Sequence, residues 1–173
     1  MSLPHRGGSE ASFSGIRLRR AESGDAQAIG AVFDASVRTG WAYLGELVRR
    51  PMFSGEDWEK FVADHAPPNV LLVAADESDR VVGYTAVHSE DGELFRLFVA
   101  PHYSGRGIGR MLLSAAHEAL RSAGCREAFL FTEERNERAL DVYARAGYRT
   151  DGTIRESDFR GTAIRELRLV KLL

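Results

Sequence analysis

The alternation of apolar and polar positions divides the chain into short strands and amphipathic helices. Ile16 to Arg19 alternates apolar and basic residues, which predicts a short first strand. Asp25 stands where a helix cap is expected. Behind it Ala28, Ile29, Val32, Phe33 and Ser36 recur at helical spacing as far as about Arg38. From Thr39 to Ser54 the periodicity blurs. Trp41, Tyr43, Leu44, Leu47, Val48, Met52 and Phe53 make this segment too apolar for a solvated linker, and a short helix and a loop over a pocket are expected. A second helix is expected over Glu56 to Asp64, stopped by Pro67-Pro68.

Strands follow. Val70 to Ala75 and Arg80 to His88 are continuous apolar runs, joined by the turn Asp76-Glu77-Ser78-Asp79. A second turn, Ser89 to Gly92, leads to a strand over Glu93 to Val99, which Pro101 stops. Consecutive tight turns predict an antiparallel meander. The period then changes: Ile108, Met111, Leu112, Ala115, Ala116, Ala119, Leu120 and Ala123 form the clearest helical stripe in the chain, closed by Gly124. Ala128 to Thr132 is a fifth strand. It is reached through a crossover helix and is therefore expected parallel to the fourth. Asn136 can cap a helix that runs to Ala146, with Gly147 at its end. Tyr148 to Ile154 and Thr162 to Val170 predict a closing hairpin. The expected fold is of the α/β (α+β) class. It has a mixed sheet of about seven strands, an antiparallel meander with one parallel pair, and about four flanking helices.

Composition narrows the function classes. A chain of 173 residues fits one domain, expected over residues 16–173. Residues 1–15, rich in Ser and Gly and without periodicity, are expected to be a disordered leader with no catalytic role. The net charge of −2 provides no general basic field, so no nucleic-acid partner is expected. No apolar run approaches the roughly 20 residues of a membrane helix, so no membrane partner is expected either. The single cysteine, Cys125, excludes a disulfide framework within one chain and suits a cytoplasmic setting. His65, His102 and His117 lack metal-ligand spacing, and no metal is expected.

The chemistry concentrates where the strand ending at Val99 meets the long helix. Gly105-Arg106-Gly107-Ile108-Gly109 lets backbone approach an anion without side-chain obstruction. The helix start that follows offers unpaired N–H groups and the positive end of a dipole. Arg106 and Arg110 add charge, and the arrangement suits a pyrophosphate. A Walker loop is excluded, because no Gly-Lys is followed by Ser or Thr. A dinucleotide fingerprint opening at Gly105 would need glycine where Arg110 stands.

The stretch Val99-Ala100-Pro101-His102-Tyr103-Ser104-Gly105-Arg106-Gly107-Ile108-Gly109, with Leu112-Leu113, resembles motif A of the GNAT superfamily. Asn136, Ala139, Tyr143, Gly147 and Tyr148 resemble its motif B, and the element order from Ile16 to Val170 is similar to that fold. One position departs: Ser104 stands where the six-residue loop usually opens on Arg or Gln. The resemblance implies acetyl-CoA as cosubstrate and acetylation of a primary amine, on a small molecule or a peptide, in a ternary complex. A non-catalytic CoA-sensing module of the same fold is the alternative. By resemblance, Ser104, Gly105, Arg106, Gly107, Ile108, Gly109 and Arg110 would hold the pyrophosphate. Phe98 and Val99 would pair with the pantetheine arm, and Asn136 would either cap its helix or contact cofactor. Tyr143 would protonate the leaving thiolate, and Glu93 would take the amine proton. His88 and Glu133 are lesser candidates for that proton. Trp41, Tyr43 and the segment to Phe53 would wall the acceptor site or pack. Family members often form homodimers, which the closing hairpin could mediate.

Overall fold

The structure is a computed structural model that describes residues 15–173. The expected leader, all but its last residue, lies outside the described residues. Seven strands form one sheet in the order β1-β2-β3-β4-β5-β7-β6. They are β1 (Arg17–Arg20), β2 (Val70–Ala75), β3 (Val81–His88), β4 (Glu93–Val99), β5 (Glu127–Glu133), β6 (Arg149–Phe159) and β7 (Thr162–Leu172). Every neighbouring pair is antiparallel except β4 and β5, which are parallel. Four α-helices complete the described residues: α1 (Ala26–Gly40), α2 (Gly55–Asp64), α3 (Ile108–Ser122) and α4 (Glu137–Arg145). The expected class, strand count, meander and parallel pair are all present.

Helix α1 packs Ile29, Val32, Phe33 and Val37 onto one sheet face, against Leu71, Val73, Tyr84 and Ala86. Trp58 of α2 fills the gap between the helices. It lies so near Gly30 that a Cβ there would come within 2.7 Å of its ring, which is why a glycine is tolerated inside α1. The opposite face is covered by α3 and α4, through Leu113, Ala116, Leu120 and Tyr143 against Leu94, Leu130 and Leu169.

One expectation changes. Asp25 precedes α1, but its carboxylate does not cap it. It accepts from the Glu22 amide at 2.8 Å and from both terminal nitrogens of Arg19, at 2.6 and 2.9 Å. A guanidinium from β1 outcompetes the helix amides for that carboxylate. The blurred segment after α1 forms two short 3-10 turns within Ala42–Val48, joined at a kink at Gly45; they bury Leu44 and Val48 and set Trp41 against Phe159, with ring centroids 5.3 Å apart. Among the described residues, no helix is long and apolar enough to cross a membrane.

Candidate functional site

The parallel pair is joined at one point. Glu93 of β4 faces Phe129 of β5, and no further register partners connect the two strands. The divergence has a local cause. Against β3, Ala86 faces Arg96 and Val87 faces Leu94, so Phe95 is an extra, unpaired residue. This bulge turns β4 away from β5 and opens a wedge-shaped slot toward the C-terminal ends of both strands. Along it the facing backbone edges lack a strand partner among the described residues, so their peptide groups can pair with an extended ligand. The bulge has a trace in the sequence that was not read there. Leu94 and Leu97 both pack toward α3, and a spacing of three is impossible in a regular strand, whose faces alternate.

The glycine turn sits at the open end of the slot. Gly105 and Gly107 have φ of +78° and +83°, and Gly107 is the cap residue of α3, with no side chain to satisfy the first amides. Packing does not demand glycine at either flank. A Cβ at Gly105 would meet nothing within 4 Å, and one at Gly109 only Val99 Cγ2 at 3.7 Å. The space in front of these amides is open. Arg106 is exposed and stacks on Tyr103 at 5.1 Å. Tyr103 is itself fixed by donating to Asp76 at 3.0 Å and accepting from Arg80 at 3.2 Å. Arg110 is exposed and Ser104 half-buried nearby. The side chains of Ile108, Phe98 and Val99 turn into the core, so these three can serve a ligand only through backbone.

The two candidate proton carriers lie on opposite faces of the sheet. Glu93 starts β4 on the α1/α2 face, half-buried, 3.0 Å from His88 Nδ1. Asp91 accepts from the Glu93 amide at 3.1 Å. His88, Asp91 and Glu93 bring their polar atoms within 4.8 Å of one another, a cluster these turn hydrogen bonds account for. Tyr143 lies on the α3/α4 face, 9% exposed, edge-on to Tyr148 with centroids 5.6 Å apart. Burial alone pushes its hydroxyl well above the ordinary phenol range, so it stays protonated at neutral pH. Asn136 caps α4 by accepting from the Ala139 amide at 3.2 Å, the role expected of it.

Glu133, named as a lesser candidate, is 1% exposed at the end of β5. It accepts from the Tyr43 hydroxyl at 2.5 Å, the Arg135 amide at 2.8 Å and Arg135 Nε at 2.9 Å. Burial pushes this carboxyl up, but those bonds more than offset it and hold it below the usual carboxylate range. It is therefore an ionised anchor for the segment after α1. Tyr43 thereby ties that segment to the end of β5, whereas Trp41 packs on Phe159. Cys125, half-buried, donates to Ser89 O at 3.3 Å.

Comparison with known proteins agrees with this geometry. Residues 40–148 match the Acetyltransferase (GNAT) family. The chain is 33% identical over 140 residues to a mycothiol acetyltransferase of Propionibacterium freudenreichii subsp. shermanii, covering 78% of this chain and 43% of that protein. The chain spans less than half the length of the curated relatives it matches. A GCN5-related N-acetyltransferase from Rhodopseudomonas palustris superposes with TM-score 0.73 at 21% identity, over 95% of this chain and all (100%) of that one. YncA of Salmonella typhimurium, solved with its cofactor acetyl-CoA, superposes with TM-score 0.72 at 16% identity, over 92% and 94% of the two chains.

Proposed function

The chain belongs to the acetyltransferase (GNAT) family, and from that premise we propose that it transfers an acetyl group from acetyl-CoA to a primary amine of a small molecule. Transfer is by direct attack in a ternary complex. The observation that carries this reading is the single bridge between β4 and β5, with the glycine turn at the mouth of the slot it opens. A slot between two unpaired strand edges takes an extended amide-bearing arm as it would take a strand. The Phe98 and Val99 backbone lines it. The turn from Ser104 to Arg110 presents amides and the start of α3 to a pyrophosphate, and Arg106 and Arg110 supply the charge that Ser104 does not.

The chain's residues then divide the work. An alkylammonium, with pKa of about 10.4, has no lone pair to donate. Glu93 takes its proton, directly or through water, on the α1/α2 face. The amine nitrogen attacks the thioester carbonyl carbon, and a slot-facing backbone N–H of β4 stabilises charge on the carbonyl oxygen. The carbon–sulfur bond breaks, and Tyr143 on the other face gives its proton to the thiolate. Base and acid on opposite sides of the sheet meet only through the slot, so acceptor and cofactor arrive from different sides.

Calorimetry with acetyl-CoA, followed by thiol release across an amine panel, tests this. Saturable binding with amine-dependent thiol release is expected. Absence of binding at millimolar cofactor sinks the reading. Binding with no thiol release from any amine leaves only a CoA-binding module.

A further inference from the structure

Five arginines lie over aromatic rings among the described residues: Arg96, Arg106, Arg135, Arg155 and Arg168. Three of them are matched to carboxylates, Arg135 to Glu133 at 2.9 Å, Arg155 to Glu166 at 2.7 Å and Arg168 to Asp151 at 3.1 Å. Arg106 and Arg96 have no ion-pair partner among the described residues. Arg106 belongs to the pyrophosphate turn. Arg96 has no role in anything described so far, although its surroundings are the more elaborate.

Its guanidinium carbon stands 4.8–5.2 Å from the ring centroids of Phe33, Phe53, Trp58, Phe61 and Phe95. These rings come from α1, the loop before α2, α2 and the bulge. Ring faces attract a cation, but they accept few of the five N–H bonds a guanidinium offers. A half-buried cation without a counter-charge costs stability unless something pairs it. Beneath it Tyr84 is wholly buried, and its hydroxyl, with no partner at full hydrogen-bond geometry, faces the guanidinium and no anion. Asp34 of α1 is near enough for its charge to reach Tyr84, yet it forms no ion pair with Arg96. The bulge matters here as well. By inserting Phe95, it keeps Arg96 on the α1/α2 face that also carries Glu93. Three strand residues span roughly 10 Å. Long Glu and Arg side chains can close that span to the separation between the nitrogen and the carboxylate of an amino acid or a short conjugate of one.

We propose that Arg96, held in its ring of aromatics, reads a carboxylate on the acceptor, so that the acceptor is an amine that also bears a carboxylate. The proposal rests on the acetyl-transfer reading above and adds the acceptor's chemical class to it.

The test compares native protein, Arg96→Gln and Arg96→Lys with acetyl-CoA and free amino acids or dipeptides, each beside its C-terminal amide. Native kcat/KM should favour the free carboxylate over the amide on the order of 10- to 100-fold for the best pair. Arg96→Gln should bring that ratio to about one, and Arg96→Lys should keep part of it. A native ratio of one or below, or an unchanged ratio in Arg96→Gln, overturns the proposal and leaves acetyl transfer standing. If acetyl-CoA binds but no amine releases thiol, the acetyl-transfer reading fails, and the anion site is decided by binding alone. Trp58 lies 5.2 Å from the guanidinium, so its fluorescence in a Trp41→Phe background reports on occupancy during titration with N-acetylglycine. A saturable change that Arg96→Gln abolishes supports the site; no change, or the same change in both proteins, overturns it.

Discussion

In the proposed mechanism Tyr143 has two demands on it, as a packed wall of the core and as a proton donor. Its ring meets the first through Tyr148 and the α3 side chains. Its hydroxyl can meet the second because only burial perturbs it, with no neighbouring charge or hydrogen bond to hold the proton. Removing the oxygen therefore separates the roles. Tyr143→Phe should lower kcat about 100-fold or more while the acetyl-CoA Kd and the melting temperature stay close to native. Steady-state kinetics beside calorimetry measures this, and an unchanged kcat would assign the proton to another group. The Asn136 cap and the place of Tyr143 on the apolar face of α4 were legible because both follow from the period of one helix. The Tyr43–Glu133 bond, 90 positions apart, and the Arg96 enclosure, drawn from four segments, were not. No local pattern records a contact that exists only once the sheet has formed.

Elements with a strong period were the most legible. The α3 stripe follows from its helical period, and strands β2 and β4, to their end residues, from apolar runs bounded by turns and proline. The bulge in β4 was not read, because the three-residue spacing of Leu94 and Leu97 signals it only once both are known to share a face. The start of α3 can be tested directly. Gly107 holds φ of +83°, where a branched residue is strained, and it is exposed. Gly107→Val should cost about 1 kcal/mol or more of stability and weaken acetyl-CoA binding at least tenfold. Native affinity in a folded variant would place the pyrophosphate elsewhere. The start of α4 offers a subtler comparison. Asn136→Ala removes the acceptor for the Ala139 amide and should destabilise by about 1 kcal/mol, whereas Asn136→Asp keeps a good cap. If thermal melts show Asp as costly as Ala, capping is not what Asn136 supplies.

At the scale of the molecule, His117 links the core to pH. It is 6% exposed, shares a 2.8 Å hydrogen bond with Tyr148, and burial lowers its pKa to about 4, helped by Lys171 and Arg121. The unfolded chain binds this proton near pH 6.5 and the folded chain does not. Stability is therefore full above about pH 6.5 and falls as the pH drops toward 4, by roughly 3 kcal/mol at most. Burial lowers His65 in the same direction. Melting temperatures between pH 4.5 and 7.5 should decline more steeply for native protein than for His117→Gln, and parallel slopes would exonerate His117. Element order and strand count were legible at this scale. The way the sheet divides was not, because that depends on one residue of register. With β4 and β5 meeting only at Glu93 and Phe129, the sheet is mechanically two stiff plates, β1–β4 and β5–β7, on a single pivot. A ligand seated along the slot acts as a splint across them. Slowed amide exchange should then appear on both plates at once, far from any atom the ligand touches.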